Sequence, residues 1–313
     1  MVEKISTRES VGQFLADAGE EFSNLVILGG DLNKSTFSNI FGAKFPNRFF
    51  DFGPAEQNIV SVAAGMASAG KIPVVSTFAV FATSRPYDQL RVGVSQSNLN
   101  VKIIATHAGI LTGEDGVSAQ SIEDISIMSA LHNFTVIVPS DSIEALQATR
   151  AAIESYGPVY IRLSRPATPV INKEGFKFIL GKGNKLLEGN DVTIMACGVM
   201  VDLSLKAAES LKGMGISCRV VNMSTLSPID EDIIIESAKL TGAIVTAEEH
   251  YILGGLSSLV SQVLSTNIPT PLESVALTSY AESGKPEHLF EKYGLTTEKI
   301  CESVKRVIDR KKS

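Results

Sequence analysis

Short apolar runs alternate with longer helical patterns along nearly the whole chain, and this alternation limits the fold more than any other feature of the sequence. The runs are rich in Val and Ile, which is typical of buried strands. The helical patterns between them often begin with Ser, Asp or Pro, as helices tend to do. Strands and helices that alternate in this way predict a mainly parallel sheet with helices on both of its faces.

The alternation occupies two stretches of the chain. In the first, the predicted strands are Leu25–Leu28, Val74–Thr77, Val101–Ala105, Thr135–Val138 and Val159–Leu163, and the predicted helices are Arg8–Phe22, Ala55–Ala69, Pro86–Gln96, Ile122–Leu131 and Ser142–Ser155. In the second, the strands are Val192–Ala196, Ser217–Val221, Ala243–Ala247 and Ser274–Leu277, and the helices are Asp202–Lys212, Asp230–Ala238, Gly255–Leu264 and Thr297–Arg310.

Between the two stretches, from Arg165 to Asn190, prolines and glycines interrupt the periodicity. This composition is typical of a connection between domains. We therefore predict an α/β protein with two mainly parallel, three-layer αβα domains. Residues 1–170 form the first domain, 171–190 the linker, and 191–313 the second, smaller domain.

Charge, cysteine content and hydropathy exclude several classes of function. The chain has 28 basic and 34 acidic residues, a net charge of −6, and no long Lys/Arg cluster, which argues against a nucleic-acid partner. Its three cysteines are far apart and show no CxxC pairing, as is typical of reduced thiols. The start of the chain lacks the pattern of a signal peptide, and no apolar stretch has the length of a membrane span. We expect a cytoplasmic protein without a membrane partner.

One acid, Glu56, stands at the predicted start of a helix that otherwise consists of small and apolar residues. Taken alone, an acid at this position is explained by the positive end of the helix dipole. The later turns have almost no polar face, and their Ala and Gly residues permit the close approach of another helix. This segment therefore predicts a contact between subunits.

Two further segments place side chains at the ends of predicted strands. Phe78 and Phe81 lie where one strand meets a helix, and His107 follows the next strand, ahead of the polar segment Gly113-Glu-Asp-Gly116. Catalytic groups gather at such strand ends, although core packing alone explains two phenylalanines. His107 with its polar loop is the better candidate for binding a polar ligand.

Several catalytic templates are absent from the sequence. It has no GxSxG elbow, HExxH helix, Walker A loop, GxGxxG fingerprint or four-ligand zinc spacing. This disfavours a nucleophilic hydrolase or a metalloprotease.

Taken in order, a set of short segments resembles transketolases over essentially the whole chain. The segments are Gly53-Pro-Ala-Glu56-Gln-Asn, Ala63-Ala-Gly65, Thr77-Phe78, Ala105-Thr-His107, Gly113-Glu-Asp-Gly116, Leu163-Ser-Arg165-Pro166, Ala247-Glu-Glu-His250-Tyr, Gly254-Gly255 and Ser283-Gly-Lys-Pro286. They resemble only the pyrimidine-binding and C-terminal domains of that family.

The family's Mg²⁺–diphosphate motif, a Gly-Asp-Gly followed by an Asn pair, is missing from this sequence. A diphosphate needs a hard cation held by oxygen ligands, so the chain by itself should be inactive and should hold no metal. The resemblance therefore implies a split enzyme. A partner chain, the N-terminal section, would carry Mg²⁺ and the diphosphate of thiamine diphosphate, in a heterotetramer with two copies of each chain.

The resemblance also implies a role for each matching residue. Glu56 would hydrogen-bond N1′ of the cofactor's pyrimidine and favour the imino tautomer, whose 4′-nitrogen removes the proton from the thiazolium C2. An apolar setting around Glu56 would favour its neutral form. Phe78 and Phe81 would pack against the pyrimidine ring, and Asp31 would lie close to the cofactor.

A second set of residues is implied for a sugar phosphate. Arg8, Ser35, His107 and Arg165 match family positions that grip the phosphate, and Asp115 matches the one that reads a substrate hydroxyl. Arginine suits this role because its planar guanidinium offers several donors. Together with Glu56, His107 is the residue that we expect to act in catalysis.

The sequence departs from the family pattern at two positions. Ala119 stands where some members have a histidine, and Ser84 where some have an aromatic residue beside the pyrimidine; Gln120 is a conjectural substitute for the missing histidine. We interpret His250, which has no chemical role that its neighbours suggest, as a structural or interface histidine.

The activity implied first is transfer of a two-carbon ketol unit from a ketose phosphate to an aldose phosphate, as in the pentose phosphate pathway. Three alternatives remain open. One is the β subunit of a 2-oxoacid dehydrogenase E1 component, which would not need a set of phosphate-gripping side chains. Another is a 1-deoxyxylulose-phosphate synthase, suggested by Arg85-Pro-Tyr87-Asp-Gln. The last is a scaffold subunit without catalytic activity.

Overall fold

A computed structural model describes residues 3–173 and 175–312, whose strands form two mainly parallel sheets flanked by helices. In chain order the strands are β1 (Lys4–Ile5), β2 (Leu25–Gly29), β3 (Phe49–Asp51), β4 (Ile72–Ser76), β5 (Lys102–Ala105), β6 (Thr135–Ile137), β7 (Val159–Arg162), β8 (Thr168–Pro169), β9 (Asn184–Leu187), β10 (Val192–Ala196), β11 (Cys218–Asn222), β12 (Thr225–Ser227), β13 (Ile244–Tyr251) and β14 (Leu272–Leu277). The helices are α1 (Thr7–Glu21), α2 (Asn33–Thr36), α3 (Asn39–Lys44), α4 (Glu56–Ser68), α5 (Ala79–Ser84), α6 (Asp124–Ser129), α7 (Ser142–Glu154), α8 (Met200–Lys212), α9 (Glu231–Thr241), α10 (Leu256–Asn267), α11 (Pro286–Lys292) and α12 (Thr297–Lys312).

The larger sheet has seven strands in the order β12-β6-β7-β5-β4-β2-β3, and the smaller one has five in the order β14-β13-β10-β11-β9. Within these two sheets every pairing is parallel except those of the edge strands β12 and β9. Strands β1 and β8 form a separate antiparallel pair. The inner strands are buried along their whole length, as parallel strands covered by helices on both faces must be. The predicted α/β class with two αβα units is confirmed.

The two units pack against each other through a shared core. One apolar cluster includes Val75 of β4, Met195 of β10 and Val260 of α10, so it extends from one sheet to the other. The orientation of the second unit therefore depends on side chains that the first unit covers.

Two predicted elements differ from the observed ones. Strand β13 continues to Tyr251, past the predicted end at Ala247. The hydrophobic pattern ends at Ala247 because Glu248–His250 are polar, although these three residues are buried between the units. The predicted helix Pro86–Gln96 contains a π-helix over Gln89–Ser95, where the Gln96 amide donates to the carbonyl of Arg91. Neither difference has a signature in the hydrophobic pattern.

The residues predicted as the linker, 171–190, include the edge strand β9, which pairs antiparallel with β11. Strand β12 crosses in the other direction, since it follows the second unit's β11 in sequence but pairs with β6 of the larger sheet. The predicted linker thus contains an edge strand of the smaller sheet, and the boundary between the domains stays a prediction.

Parallel strands bring their carboxyl ends to one edge of the sheet, and this edge assembles the predicted site residues. Strands β2, β4 and β5 are neighbours, and they lead into Asp31, Phe78 and His107 respectively. A bridge between Phe78 and Thr106 continues the pairing of β4 and β5 past the strand ends. Side chains that are far apart in sequence therefore meet here.

Candidate active site

Glu56 begins α4, and its side chain is almost completely buried at 3% exposure. Both carboxylate oxygens accept hydrogen bonds from Nη1 of Arg85, at 2.8 and 3.0 Å. The Arg85 side chain is 48% exposed, and its guanidinium carbon lies 4.0 Å from the centroid of the Phe81 ring. The burial of Glu56 agrees with the apolar setting predicted for it, but that prediction missed the Arg85 guanidinium, which stacks on Phe81 and covers one side of the carboxylate.

Three rings continue from this ion pair toward the next strand end. Phe81 and Phe78 stack with centroids 5.9 Å apart and an interplanar angle of 13°. Phe78 and His107 stack with centroids 3.7 Å apart at 19°. The two phenylalanines thus lie between Glu56 and His107, with Phe78 buried and Phe81 partly open.

His107 is buried and adopts a positive φ of 57°. A non-glycine residue in this region is under strain, a feature that clusters at functional sites. Its Nδ1 lies 2.8 Å from Oγ1 of Thr106, and its carbonyl accepts a hydrogen bond from Oγ1 of Thr112 at 2.7 Å. Burial, reinforced by the charges of Arg8 and Arg165, lowers the pKa of His107 to about 3. The imidazole is therefore neutral at physiological pH.

Arg8 and Arg165 are linked to each other and to the loop that follows His107. Arg8 donates from Nε to the Arg165 carbonyl at 2.9 Å and from Nη1 to the Ser35 carbonyl at 2.5 Å. Arg165 donates from Nη1 to the Thr112 carbonyl at 2.6 Å, and its Nη2 lies 3.9 Å from Oδ1 of Asp115. Burial and the neighbouring Arg165 lower the pKa of Arg8. Two guanidiniums this close favour an anion between them.

Asp31 and Ser35 lie in a separate part of the same edge. Asp31 is exposed, has a positive φ of 63°, and donates its backbone N–H to Oδ1 of Asp51 at 3.0 Å. It lines a cavity of about 400 Å³ together with Ser35 and Phe49. Glu56 borders another cavity of about 400 Å³, which Arg85 also lines. The structure thus connects Ser35 to Arg8 but does not bring Asp31 into contact with Glu56.

The positions that depart from the family pattern have different surroundings. Ala119 is buried, and Ser84 is exposed at the end of α5. Gln120 is buried, and its Nε2 donates to the carbonyls of Gly113 and Glu282. The Nε2 group of Gln120 therefore braces the loop through the second unit, whereas its buried Oε1 has no hydrogen-bond partner among the described residues.

His250 joins the two units. Its Nδ1 lies 2.7 Å from the Tyr251 carbonyl, and its Nε2 accepts the backbone N–H of Ser126 at 3.4 Å. Because Ser126 belongs to α6, a residue of β13 satisfies an amide of the first unit. This contact agrees with the structural role that the sequence predicts.

Sequence reasoning missed two residues that act on the site. Arg85 lies in the segment Arg85-Pro-Tyr87-Asp-Gln, whose letters do not indicate its contact with Glu56 across 29 residues. Glu249 of β13 accepts the backbone N–H of Leu111 at 2.7 Å, a contact across 138 residues. Neither pairing has a local signal in the sequence.

The part of the chain that the structure describes contains neither a metal-binding cluster nor a membrane-spanning helix. Within it, no group of three or more His, Cys, Asp or Glu side chains is placed to hold a metal ion. No helix there combines the length and the apolar character that crossing a membrane requires.

Known families match both units. The family described as "Transketolase, pyrimidine binding domain" matches residues 3–170, and "Transketolase, C-terminal domain" matches residues 181–300. The chain belongs to the transketolase family. The resemblance predicted from the sequence is thereby confirmed, and this transketolase-family chain corresponds to those two domains.

Some of the relatives are about as long as this chain, and others are about twice as long. A protein of Clostridium sp. (strain MSTE9) named "6-deoxy-6-sulfo-D-fructose transketolase subunit SqwH" is 39% identical over 305 residues, which cover 97% of this chain and 95% of that protein. Human transketolase is 36% identical over 313 residues, 98% of this chain but 50% of that protein. A solved structure described as "Split gene transketolase, inactive beta4 tetramer" superimposes with a TM-score of 0.92 at 45% identity and covers 98% of this chain and 99% of that one. The transketolase-family chain thus matches some relatives in full and others over half their length.

Proposed function

We propose that this chain is the pyrimidine-activating subunit of a split transketolase, which transfers a two-carbon ketol unit from a ketose phosphate to an aldose phosphate. The observation that carries the proposal is the buried carboxylate of Glu56 at the start of α4, next to the stacked rings of Phe78 and Phe81. A buried acid beside two aromatic faces has the chemistry needed to bind an aminopyrimidine through a ring nitrogen and a ring face. The residues present therefore fit thiamine diphosphate.

When bound, thiamine diphosphate supplies the nucleophilic carbon that takes up the two-carbon unit. Glu56 holds the proton at N1′ of the pyrimidine, which sets the basicity of the amino group on the same ring. Phe78 and Phe81 keep the ring in plane and exclude water from this contact. Asp31 lies at the same sheet edge and completes the cofactor side of the site.

The substrate side consists of the two guanidiniums and the neutral imidazole. Arg8 and Arg165, with Ser35 beside them, bind the terminal phosphate of the sugar, because charged, multi-donor groups give the strongest contacts to phosphate oxygens. His107 is neutral, so it can form a hydrogen bond with a substrate hydroxyl without placing a third positive charge beside the two guanidiniums. Asp115 reads a further hydroxyl at the exposed end of the loop.

Mg²⁺ and the diphosphate belong, in this proposal, to a partner chain with the family's N-terminal section. The likeness to a split-gene structure described as inactive in its β4 form supports this division. We expect a cytoplasmic heterotetramer with two copies of each chain. The small residues of α4 and its neighbourhood are proposed to face a second subunit.

The test combines the chain with its partner chain, Mg²⁺ and thiamine diphosphate, and measures ketol transfer from xylulose 5-phosphate to ribose 5-phosphate. Glu56→Gln keeps the size of the side chain but removes the carboxylate, so it should abolish turnover and leave assembly intact. Full turnover by the chain alone would contradict the division between two chains. Decarboxylation of a 2-oxoacid by the mixture would instead indicate an E1-type β subunit.

The donor sugar should be tested in two forms. One relative's name specifies a 6-deoxy-6-sulfo sugar, and a guanidinium pair also binds a sulfonate. We propose the phosphate, because its charge of about −1.5 to −2 at pH 7 matches the two guanidiniums of Arg8 and Arg165 better than the single charge of a sulfonate does. A preference for 6-deoxy-6-sulfo-D-fructose over the phosphorylated donor would overturn this part of the proposal.

A further inference from the structure

Arg85 presents to Glu56 the same chemistry that an aminopyrimidine would present. Its guanidinium is planar and cationic, donates hydrogen bonds to both carboxylate oxygens, and stacks on Phe81. A protonated aminopyrimidine is also planar and cationic, donates N–H groups, and stacks on phenyl rings. Both ligands therefore need the same edge of one carboxylate and the same aromatic face.

The location of Arg85 makes this competition direct. The cavity beside the Glu56 carboxylate is lined by residues 54–58 and by Arg85 itself. The Glu56 side chain is 2% exposed, whereas that of Arg85 is 48% exposed and can swing into solvent.

We propose that Arg85 is a positioning residue that occupies the pyrimidine position on Glu56 while the cofactor is absent and gives way when the aminopyrimidine binds. The inference rests on the proposed function, since it concerns the same carboxylate. It also explains why a charged group stands in a predicted apolar pocket. A buried carboxylate without a partner is costly, and Arg85 supplies that partner in the cofactor-free chain.

The test compares two variants of Arg85 with a matched control. Arg85→Ala removes the whole side chain, and Arg85→Met keeps an unbranched apolar stem on Phe81 without the charge. The control is Arg150→Ala, because Arg150 also stacks on a phenyl ring (Phe14) and pairs with an acid of the same domain, Glu21, but that acid is 54% exposed. All three variants lose one positive charge, so the net charge of the chain changes equally.

The primary measurement is the dissociation constant of thiamine diphosphate, by titration calorimetry on the complex with the partner chain and Mg²⁺. Both Arg85 variants should bind the cofactor about two- to fivefold more tightly, the range expected for losing an ion pair with one exposed partner. Arg150→Ala should bind it as the unmodified chain does. Weaker or unchanged binding in both Arg85 variants would overturn the inference.

A second measurement is thermal unfolding of the chain without cofactor. Arg85→Met should unfold at a lower temperature, and adding Glu56→Gln should restore the loss, because a neutral amide needs no counter-ion. No loss in Arg85→Met would also overturn the inference. Failure of the unmodified complex to bind thiamine diphosphate would contradict the proposed function itself. This result is distinct from failure of the inference, because it is obtained without any substitution of Arg85.

Discussion

At the scale of single residues, the chemistry of His107 follows from where the backbone holds it. The ring lies flat on Phe78 with centroids 3.7 Å apart, and two guanidiniums are close enough to oppose a positive charge on it. A protonated imidazole in this place would be both buried and repelled. The residue is thereby kept as a neutral hydrogen-bond donor or acceptor, the form suited to a hydrogen bond with a sugar hydroxyl.

This environment predicts how His107 affects stability at acid pH. The pKa of His107 is about 3 in the folded chain against an ordinary value of 6.5. Between these two pH values the imidazole is protonated in the unfolded chain but neutral in the folded chain. The stability associated with the neutral ring is complete above pH 6.5 and is lost as the pH falls toward 3, at a rate of up to ~1.4 kcal/mol per pH unit. His107→Asn should lose less unfolding free energy than the unmodified chain between pH 6.5 and 4 in urea titrations.

Asparagine is chosen because it tolerates the positive φ of this position. The control is the exposed His288→Asn, which should follow the unmodified chain at every pH. Parallel curves for His107→Asn and the unmodified chain would show that the ring is protonated as freely as in water.

The identity of the site residues was predictable, but their partners were not. Glu56, Phe78 and His107 stand out because they follow strands or start a helix, and such positions can be identified from hydrophobic periodicity. The ion pair of Glu56 with Arg85 depends on how α5 leaves the sheet, which no local pattern encodes. The positive φ of Asp31 and His107 could not be predicted from the sequence either, since neither residue is glycine.

At the scale of elements, long buried strands were easier to predict than short edge strands. Strand β10 is a continuous apolar run and has the predicted bounds Val192–Ala196. Strands β9 and β12 are short, contain Asn, Lys, Thr or Ser, and gain their pairing only from the sheet that they join. A pattern of alternating hydrophobicity cannot reveal such strands, because tertiary context decides them.

The second unit holds the loop that carries Asp115. Glu249 accepts the Leu111 amide at 2.7 Å, and Ser283 donates from Oγ to the Glu114 carbonyl at 2.7 Å. Gly109 has a positive φ of 78°, and a Cβ there would lie 2.1 Å from the Glu249 carboxyl carbon. The strand-to-loop turn is therefore fitted closely around this side chain.

Removing the Glu249 carboxyl should loosen the loop. In Glu249→Ala, the Leu111 amide loses its acceptor, so hydrogen exchange in a peptide that contains it should speed up, and KM for the ketose phosphate should rise more than kcat falls. Burial raises the pKa of Glu249 to about 7, against the charge of Arg162, so a neutral side chain is tolerated here. Glu249→Gln keeps an acceptor oxygen and should restore both properties. The exposed Glu287→Ala serves as the control, and unchanged exchange in Glu249→Ala would contradict the role of this contact.

At the scale of the whole molecule, the two units behave as one structure because charged groups as well as apolar ones are buried between them. Arg162 of β7 donates from Nε to Oδ2 of Asp124 at 2.7 Å and from Nη2 to the Glu249 carbonyl at 2.9 Å. Tyr160 donates its hydroxyl to the same Asp124 oxygen at 2.6 Å. The guanidinium thus connects α6, β7 and the second unit's β13 in a region closed to solvent.

The stability of this connection depends on Asp124, which is completely buried and supplies the counter-charge of Arg162. Burial raises the pKa of Asp124, but the Arg162 charge, the hydrogen bonds from Tyr160 and Arg162 and the influence of His250 together outweigh burial, so the net pKa is lowered. Asp124→Asn would leave the buried guanidinium uncompensated, so the free energy of unfolding should fall by about 3–5 kcal/mol in denaturant titrations. Asp88→Asn removes a carboxylate of the same type whose partner, Arg91, is 50% exposed, and it should cost less than about 1 kcal/mol. Equal losses in the two variants would mean that water reaches Arg162, and the two units would then be joined by their apolar core alone.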